Sequence, residues 1–122
     1  MRWDDDAGDF VTVKWMSLDV GNYIYIKQDE AVPADILILA TSEVEPVCYI
    51  ETALLDGETN LKIRTALSET TATLTGKEPS EAGSKAYKLE GYLKSEHPNN
   101  RLYTYEGSVK IKGNPRGIPV DN

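Results

Sequence analysis

Apolar positions along the 122-residue chain fall in short runs bounded by turn residues, and no stretch holds a helical period through several turns. Residues 10–15 alternate. Tyr23-Ile24-Tyr25-Ile26 is an aromatic and β-branched run after the turn signal Val20-Gly21-Asn22, and Ile36-Leu37-Ile38-Leu39, following Pro33, reads as a buried central strand. Cys48-Tyr49-Ile50-Glu51 predicts another strand, Asp56-Gly57 a turn, and residues 61–67 a further extended stretch running toward helix. Residues 75–84 carry Gly76, Pro79, Ser80, Gly83 and Ser84 with few apolar neighbours, which predicts an exposed loop.

The last third alternates again. Tyr87, Leu89, Gly91 and Leu93 share one face, with Lys88, Glu90, Tyr92 and Lys94 on the other, the pattern of a half-buried strand. Pro98-Asn99-Asn100 marks a turn, and residues 102–105 and 109–111 read as two strands linked around Gly107. The expected fold is mainly β, a distorted jelly roll or antiparallel β-sandwich with one or two short helices near residues 67–75.

Composition narrows the partners. A net charge of −7 excludes nucleic acid as an expected partner, because phosphate binding draws on clustered Lys and Arg. The single Cys48 sits in an apolar run, and one cysteine cannot form an intramolecular disulfide, so a core role in a reducing compartment is expected. No window approaches the length of a membrane span, and Met1-Arg2-Trp3 runs into Asp4-Asp5-Asp6 instead of a signal peptide's apolar stretch. A soluble chain of one domain is expected.

His97, the only histidine, offers neither a metal set nor a triad, and Asp4-Asp5-Asp6 lacks the spacing of a calcium loop, so no metal site is expected. Trp3, Trp15 and the seven tyrosines read as packing residues, since no basic groove accompanies them.

Chemistry concentrates in Cys48-Tyr49-Ile50-Glu51-Thr52-Ala53-Leu54-Leu55-Asp56-Gly57-Glu58-Thr59-Asn60-Leu61-Lys62. Its turn gathers two carboxylates, a hydroxyl and an amide, and Gly57 removes a side chain from between them and can take a positive φ. Asp-Gly alone is an ordinary solvated turn, so those four residues carry no function by themselves. The longer string closely resembles the signature of the lipid-flippase branch of the P-type ATPases, in which Asp-Gly-Glu-Thr-Asn-Leu-Lys follows a Cys-Tyr-Ile-Glu-Thr strand. The resemblance continues through Val20-Gly21, Val32-Pro33-Ala34-Asp35-Ile36-Leu37, Thr65-Ala66-Leu67-Ser68-Glu69-Thr70 and Pro98-Asn99-Asn100-Arg101-Leu102-Tyr103. Asn22 departs from the aspartate common after Val-Gly in that family, and residues 75–84 have no recognisable counterpart.

The resemblance implies that residues 15–122 are the actuator domain, the β-rich cytosolic loop between the second and third membrane helices of a multi-pass parent, with 1–14 as an N-terminal edge. It implies that the parent forms an aspartyl-phosphate on a separate phosphorylation domain and that the actuator presses its loop against it. Glu58 would orient and deprotonate the attacking water, Asp56 and Thr59 would brace the loop, and Gly57 would give clearance. Asn60 and Lys62 are supporting candidates, Lys62 being equally compatible with a solvated face.

No cofactor is expected in this segment. ATP, magnesium and the phospholipid would bind elsewhere in the parent, the partners being its phosphorylation and nucleotide domains and membrane helices, with an accessory subunit left open. The segment alone is expected to be inactive. A non-catalytic β-sandwich interaction or regulatory module from a degenerate flippase-like protein is the competing reading, against which the retention of Glu58 counts.

Overall fold

A computed structural model describes residues 1–43, 45–74, 77–101, 105–112, 114 and 117–121. Among these described residues are seven strands, β1 (Arg2–Asp4), β2 (Asp9–Val11), β3 (Val47–Ile50), β4 (Lys62–Thr65), β5 (Gly91–Lys94), β6 (Glu106–Ile111) and β7 (Ile118–Asp121), and three short α-helices, α1 (Ala53–Asp56), α2 (Ser68–Leu74) and α3 (Pro79–Tyr87). The domain is β-rich, with β1 antiparallel to β2, β3 paired with β4, and β5-β6-β7 an antiparallel meander. Among the described residues these sheets do not close into a barrel.

The chain divides into two compact units, Met1–Cys48 with Thr65–Lys88, and Tyr49–Arg64 with Leu89–Asn122. The first is organised around the β1–β2 hairpin. Its turn explains the acidic run: Asp4 Oδ1 accepts the amide N–H of Asp6 at 3.0 Å and of Ala7 at 3.3 Å, and Gly8 takes φ +65° to close the hairpin. Register places Trp3 opposite Phe10, their rings edge to face at 5.4 Å, and Phe10 meets Tyr25 at 5.5 Å. On β1's other edge, Trp3 N–H bonds to the Tyr23 carbonyl and Tyr25 N–H to that of Met1, with Ile24 in an isolated bridge to Arg2. The expected strand at residues 23–26 is therefore present only as this short pairing. Burial, and then the neighbouring Tyr87, raise the Tyr23 hydroxyl's pKa above its ordinary value.

Helix α3 replaces most of the predicted exposed loop; residues 75 and 76 of that prediction lie outside the described residues. Pro79 stands at the first helical position, where its missing N–H costs nothing, and Gly83 and Ala86 turn inward. The side-chain-free surface of Gly83 admits the Trp3 and Phe10 rings, so a contact between small and aromatic residues, invisible to a hydrophobic periodicity, fixes the helix. Among the described residues Trp3, Ala66, Leu74 and Ala86 are the buried apolar side chains of this unit.

Residues 36–39 do not form the expected central strand. The Ile38 carbonyl accepts Leu67 N–H at 3.0 Å and the Leu39 carbonyl accepts the buried Thr70 hydroxyl at 2.6 Å, so the run hydrogen-bonds to the start of α2 instead of to a sheet. Trp15, expected in the core, is exposed in a 3₁₀ turn at Trp15–Ser17, and Cys48 is half-buried in β3.

In the second unit Gly91 pairs with Ile111 and Gly107 with Val120, so Gly107 lies inside β6 and not in a turn between strands. Of the strand expected at 102–105, residues 102–104 lie outside the described residues. Strand β5 is shorter than expected, because Tyr87 closes α3, and it is exposed along its length; among the described residues only Val109 of this sheet is buried. The turn at Pro98 is pinned by Glu96, which accepts from the Glu106 amide at 2.7 Å, the Asn99 side chain at 2.8 Å and Arg101 at 3.1 Å. The Glu106 N–H, Asn99 and Arg101 together lower the Glu96 pKa.

A Cβ at Gly91 would collide with the Lys110 carbonyl on the facing strand. Gly91→Ala is expected to push β5 from β6 and destabilise the unit by about 1–3 kcal/mol, the usual penalty of overpacking. Chemical denaturation monitored by amide protection in 106–111 measures it.

Candidate functional site

The loop that carries Asp56-Gly57-Glu58-Thr59 begins in one turn of helix. Ala53, Leu54 and Leu55 favour helix, and Gly57 ends it in the left-handed region at φ 76° and ψ 0°, its N–H bonding to the Ala53 carbonyl at 2.9 Å. That geometry favours glycine and swings the chain so that Glu58 follows directly on the cap. The positive φ expected of Gly57 is present.

Asp56 faces inward. Its Oδ1 accepts the Glu58 amide N–H at 3.0 Å and the Thr52 hydroxyl at 3.0 Å, while Lys62 Nζ lies 3.3 Å from its Oδ2. The Glu58 amide, Thr52 and Lys62 hold its pKa down to about 2. Lys62, at the start of β4, also donates to Thr52 Oγ1 at 3.0 Å and to Glu58 Oε2 at 2.8 Å. These two carboxylates raise the Lys62 pKa, Glu58 foremost.

The two carboxylates are thereby distinguished. The Asp56 side chain is 8% exposed and engaged from three sides, whereas that of Glu58 is 55% exposed. Asp56 suits a brace and Glu58 suits contact with a group arriving from outside. Thr59 and Asn60 are exposed beyond them. Leu54, Leu55 and Leu61, flanking the loop, are 98%, 70% and 65% exposed.

Of the residues singled out in the sequence, the structure gathers Asp56, Glu58 and Lys62 into one cluster around Gly57 and leaves Thr59 and Asn60 on its outer side. Thr52 was missed. Its signal was the four-residue spacing to Asp56, which one turn of helix brings into contact. Among the described residues no group of His, Cys, Asp and Glu is placed to hold a metal ion, and no helix is long and apolar enough to cross a membrane.

The Asp56 brace predicts a pH response. Because the folded pKa lies below the ordinary 3.8, ionised Asp56 contributes stability that is fully present above 3.8 and is lost as pH falls through about 2. The Glu58 amide resonance is expected to titrate with a midpoint near 2; a midpoint near 3.8 would show that the bond does not form in solution.

No protein-family model matches the chain. It is 45% identical to a phospholipid-transporting ATPase of Schizosaccharomyces pombe over 91% of its own length and 8% of that protein's. Phospholipid-transporting ATPase DRS2 of Saccharomyces cerevisiae matches at 45% over 92% of the chain and 8% of the relative, and Phospholipid-transporting ATPase IC of Xenopus tropicalis at 43% over 93% and 9%. The chain is homologous to a segment of the phospholipid-transporting P-type ATPases. Against these ATPases it spans less than a tenth of their length, so the braced loop is one small part of what such an ATPase contains.

Proposed function

We propose that this segment is the actuator domain of an ATP-driven phospholipid flippase, and that Asp56-Gly57-Glu58-Thr59 promotes hydrolysis of the parent's aspartyl-phosphate. The observation that carries the reading is the exposed Glu58 carboxylate, set directly beyond a left-handed glycine and braced from beneath. The exposed Leu54, Leu55 and Leu61 around it suit burial against a docked neighbour.

In the reaction a water oxygen forms a bond to phosphorus as the bond to the aspartyl oxygen breaks, and Glu58 takes the water's proton. Such transfer depends mainly on positioning and electrostatics, which a base on a rigid turn supplies. Asp56 holds the Glu58 amide, Gly57 gives the clearance, and the exposed Thr59 approaches the phosphoryl group.

Residues 15–122 are assigned to the actuator, with the distorted jelly-roll arrangement the resemblance implies. The domain lies on the cytosolic side of a multi-pass membrane protein. ATP, magnesium and phospholipid bind elsewhere in that parent, whose phosphorylation and nucleotide domains are the docking partners, and the isolated segment has no activity. The test is phosphoenzyme lifetime in the full-length ATPase carrying Glu58→Gln: prolongation supports the reading, and a normal lifetime removes it.

A further inference from the structure

We propose that Lys62 is a positioning residue for this hydrolysis: seated on Thr52 and Asp56, its ammonium holds the Glu58 carboxylate in the orientation from which it takes the water's proton. The inference rests on the proposed function and adds a residue whose part the sequence leaves open.

An ammonium carries three N–H donors, and three oxygens converge on this one: Thr52 Oγ1 at 3.0 Å, Asp56 Oδ2 at 3.3 Å and Glu58 Oε2 at 2.8 Å. The shortest contact is to the exposed carboxylate. The other two fix the ammonium from the helix side, with the Lys62 side chain 24% exposed against 55% for Glu58. An ordinary surface ion pair joins two mobile side chains and holds neither. Here one member is anchored independently, so the pair restrains the other.

Lys62 meets Oε2 of a carboxylate whose side chain is 55% exposed, so the group is held at one oxygen and still open to a water from outside. A glutamate on a turn otherwise samples several rotamers, and a misplacement of about 1 Å at a reacting group can cost on the order of 10²-fold in rate. Thr52 links the parts, donating to Asp56 while accepting from Lys62. Its place before α1 connects the geometry of the helical turn to that of the carboxylate beyond it.

The experiment is a double-mutant cycle in the full-length ATPase, reading the first-order decay of phosphoenzyme already formed, so that only folded enzyme is counted. Lys62→Met is expected to slow decay by about 10- to 100-fold, with Lys62→Arg recovering part of the loss because it restores the cation without its compact geometry. In a Glu58→Gln background Lys62→Met is expected to add no more than about twofold, since a residue acting through Glu58 has nothing left to position.

Wild-type decay in Lys62→Met, or a full further loss on top of Glu58→Gln, would overturn the inference while leaving Glu58 as the base. Normal decay in Glu58→Gln alone would instead remove the underlying reading. Lys62→Gln serves the same cycle should the methionine variant fail to form phosphoenzyme.

Discussion

Glu58→Gln in the full-length ATPase is expected to slow phosphoenzyme decay by about 10²- to 10⁴-fold, the range over which general bases act, and to leave phosphoenzyme formation intact. The substitution changes little in size. It removes the proton acceptor of the proposed scheme, and it replaces the charge paired with Lys62 Nζ at 2.8 Å by a neutral amide. Formation of the aspartyl-phosphate does not use this group in the proposed scheme, so the variant should accumulate phosphorylated enzyme. A pulse of labelled ATP followed by an unlabelled chase separates the two steps.

Asp56→Asn provides the internal contrast, because Asp56 is nearly covered and engaged by Thr52, Lys62 and the Glu58 amide. It should weaken the turn and slow decay less than loss of the base itself. An equal or greater effect from Asp56 would move the chemistry to the inner carboxylate. Normal decay in Glu58→Gln would favour the non-catalytic interaction module.

The turn at Asp56-Gly57 was legible because its determinants are local. A left-handed position after one turn of helix favours glycine, and Asp56 two residues before the Glu58 amide is the standard geometry of an aspartate-closed turn. Strands β3 and β4 were readable for the same reason, being β-branched runs bounded by breakers. What the sequence left open was which of the flanking polar residues bind one another. Lys62 could equally have faced solvent, and only the return of the chain at β4 brings it back to Thr52 and Asp56.

The errors also have one physical character. Helix α3 has almost no large apolar residue to give it a period; it buries Gly83 and Ala86, and Gly83 meets aromatic rings more than seventy positions away. Residues 36–39 looked like a central strand because they are apolar and β-branched, yet their backbone carbonyls are taken by Leu67 and Thr70. In both cases a tertiary partner outweighed a local propensity, which differs between conformations by only about 1 kcal/mol.

Trp3→Ala is expected to be the most damaging substitution in the first unit. The indole is 7% exposed, edge to face with Phe10 and against Gly83, so truncation removes a large buried surface and opens a cavity. Large aromatic-to-alanine changes cost about 3–5 kcal/mol, a large fraction of a small domain's stability. Trp3 Nε1 is buried without a hydrogen-bond partner among the described residues, so Trp3→Phe should recover most of the loss by keeping an aromatic ring and removing an unpaired donor.

Gly83→Ala sets two effects against each other. Alanine favours a helix interior by about 1 kcal/mol, but its Cβ would lie 2.7 Å from Phe10 Cε2 and still closer to the Trp3 ring. Overpacking of that kind costs about 1–3 kcal/mol, so a net destabilisation is expected while Trp3 is present. In a Trp3→Ala background the clash with the indole is gone and the Phe10 ring has vacated space to move into, so the same substitution should become neutral or stabilising. The cycle is read from urea midpoints. Additive losses would mean that the hairpin and α3 do not share a core, and residues 1–14 would then be an appendage instead of a structural part of this unit.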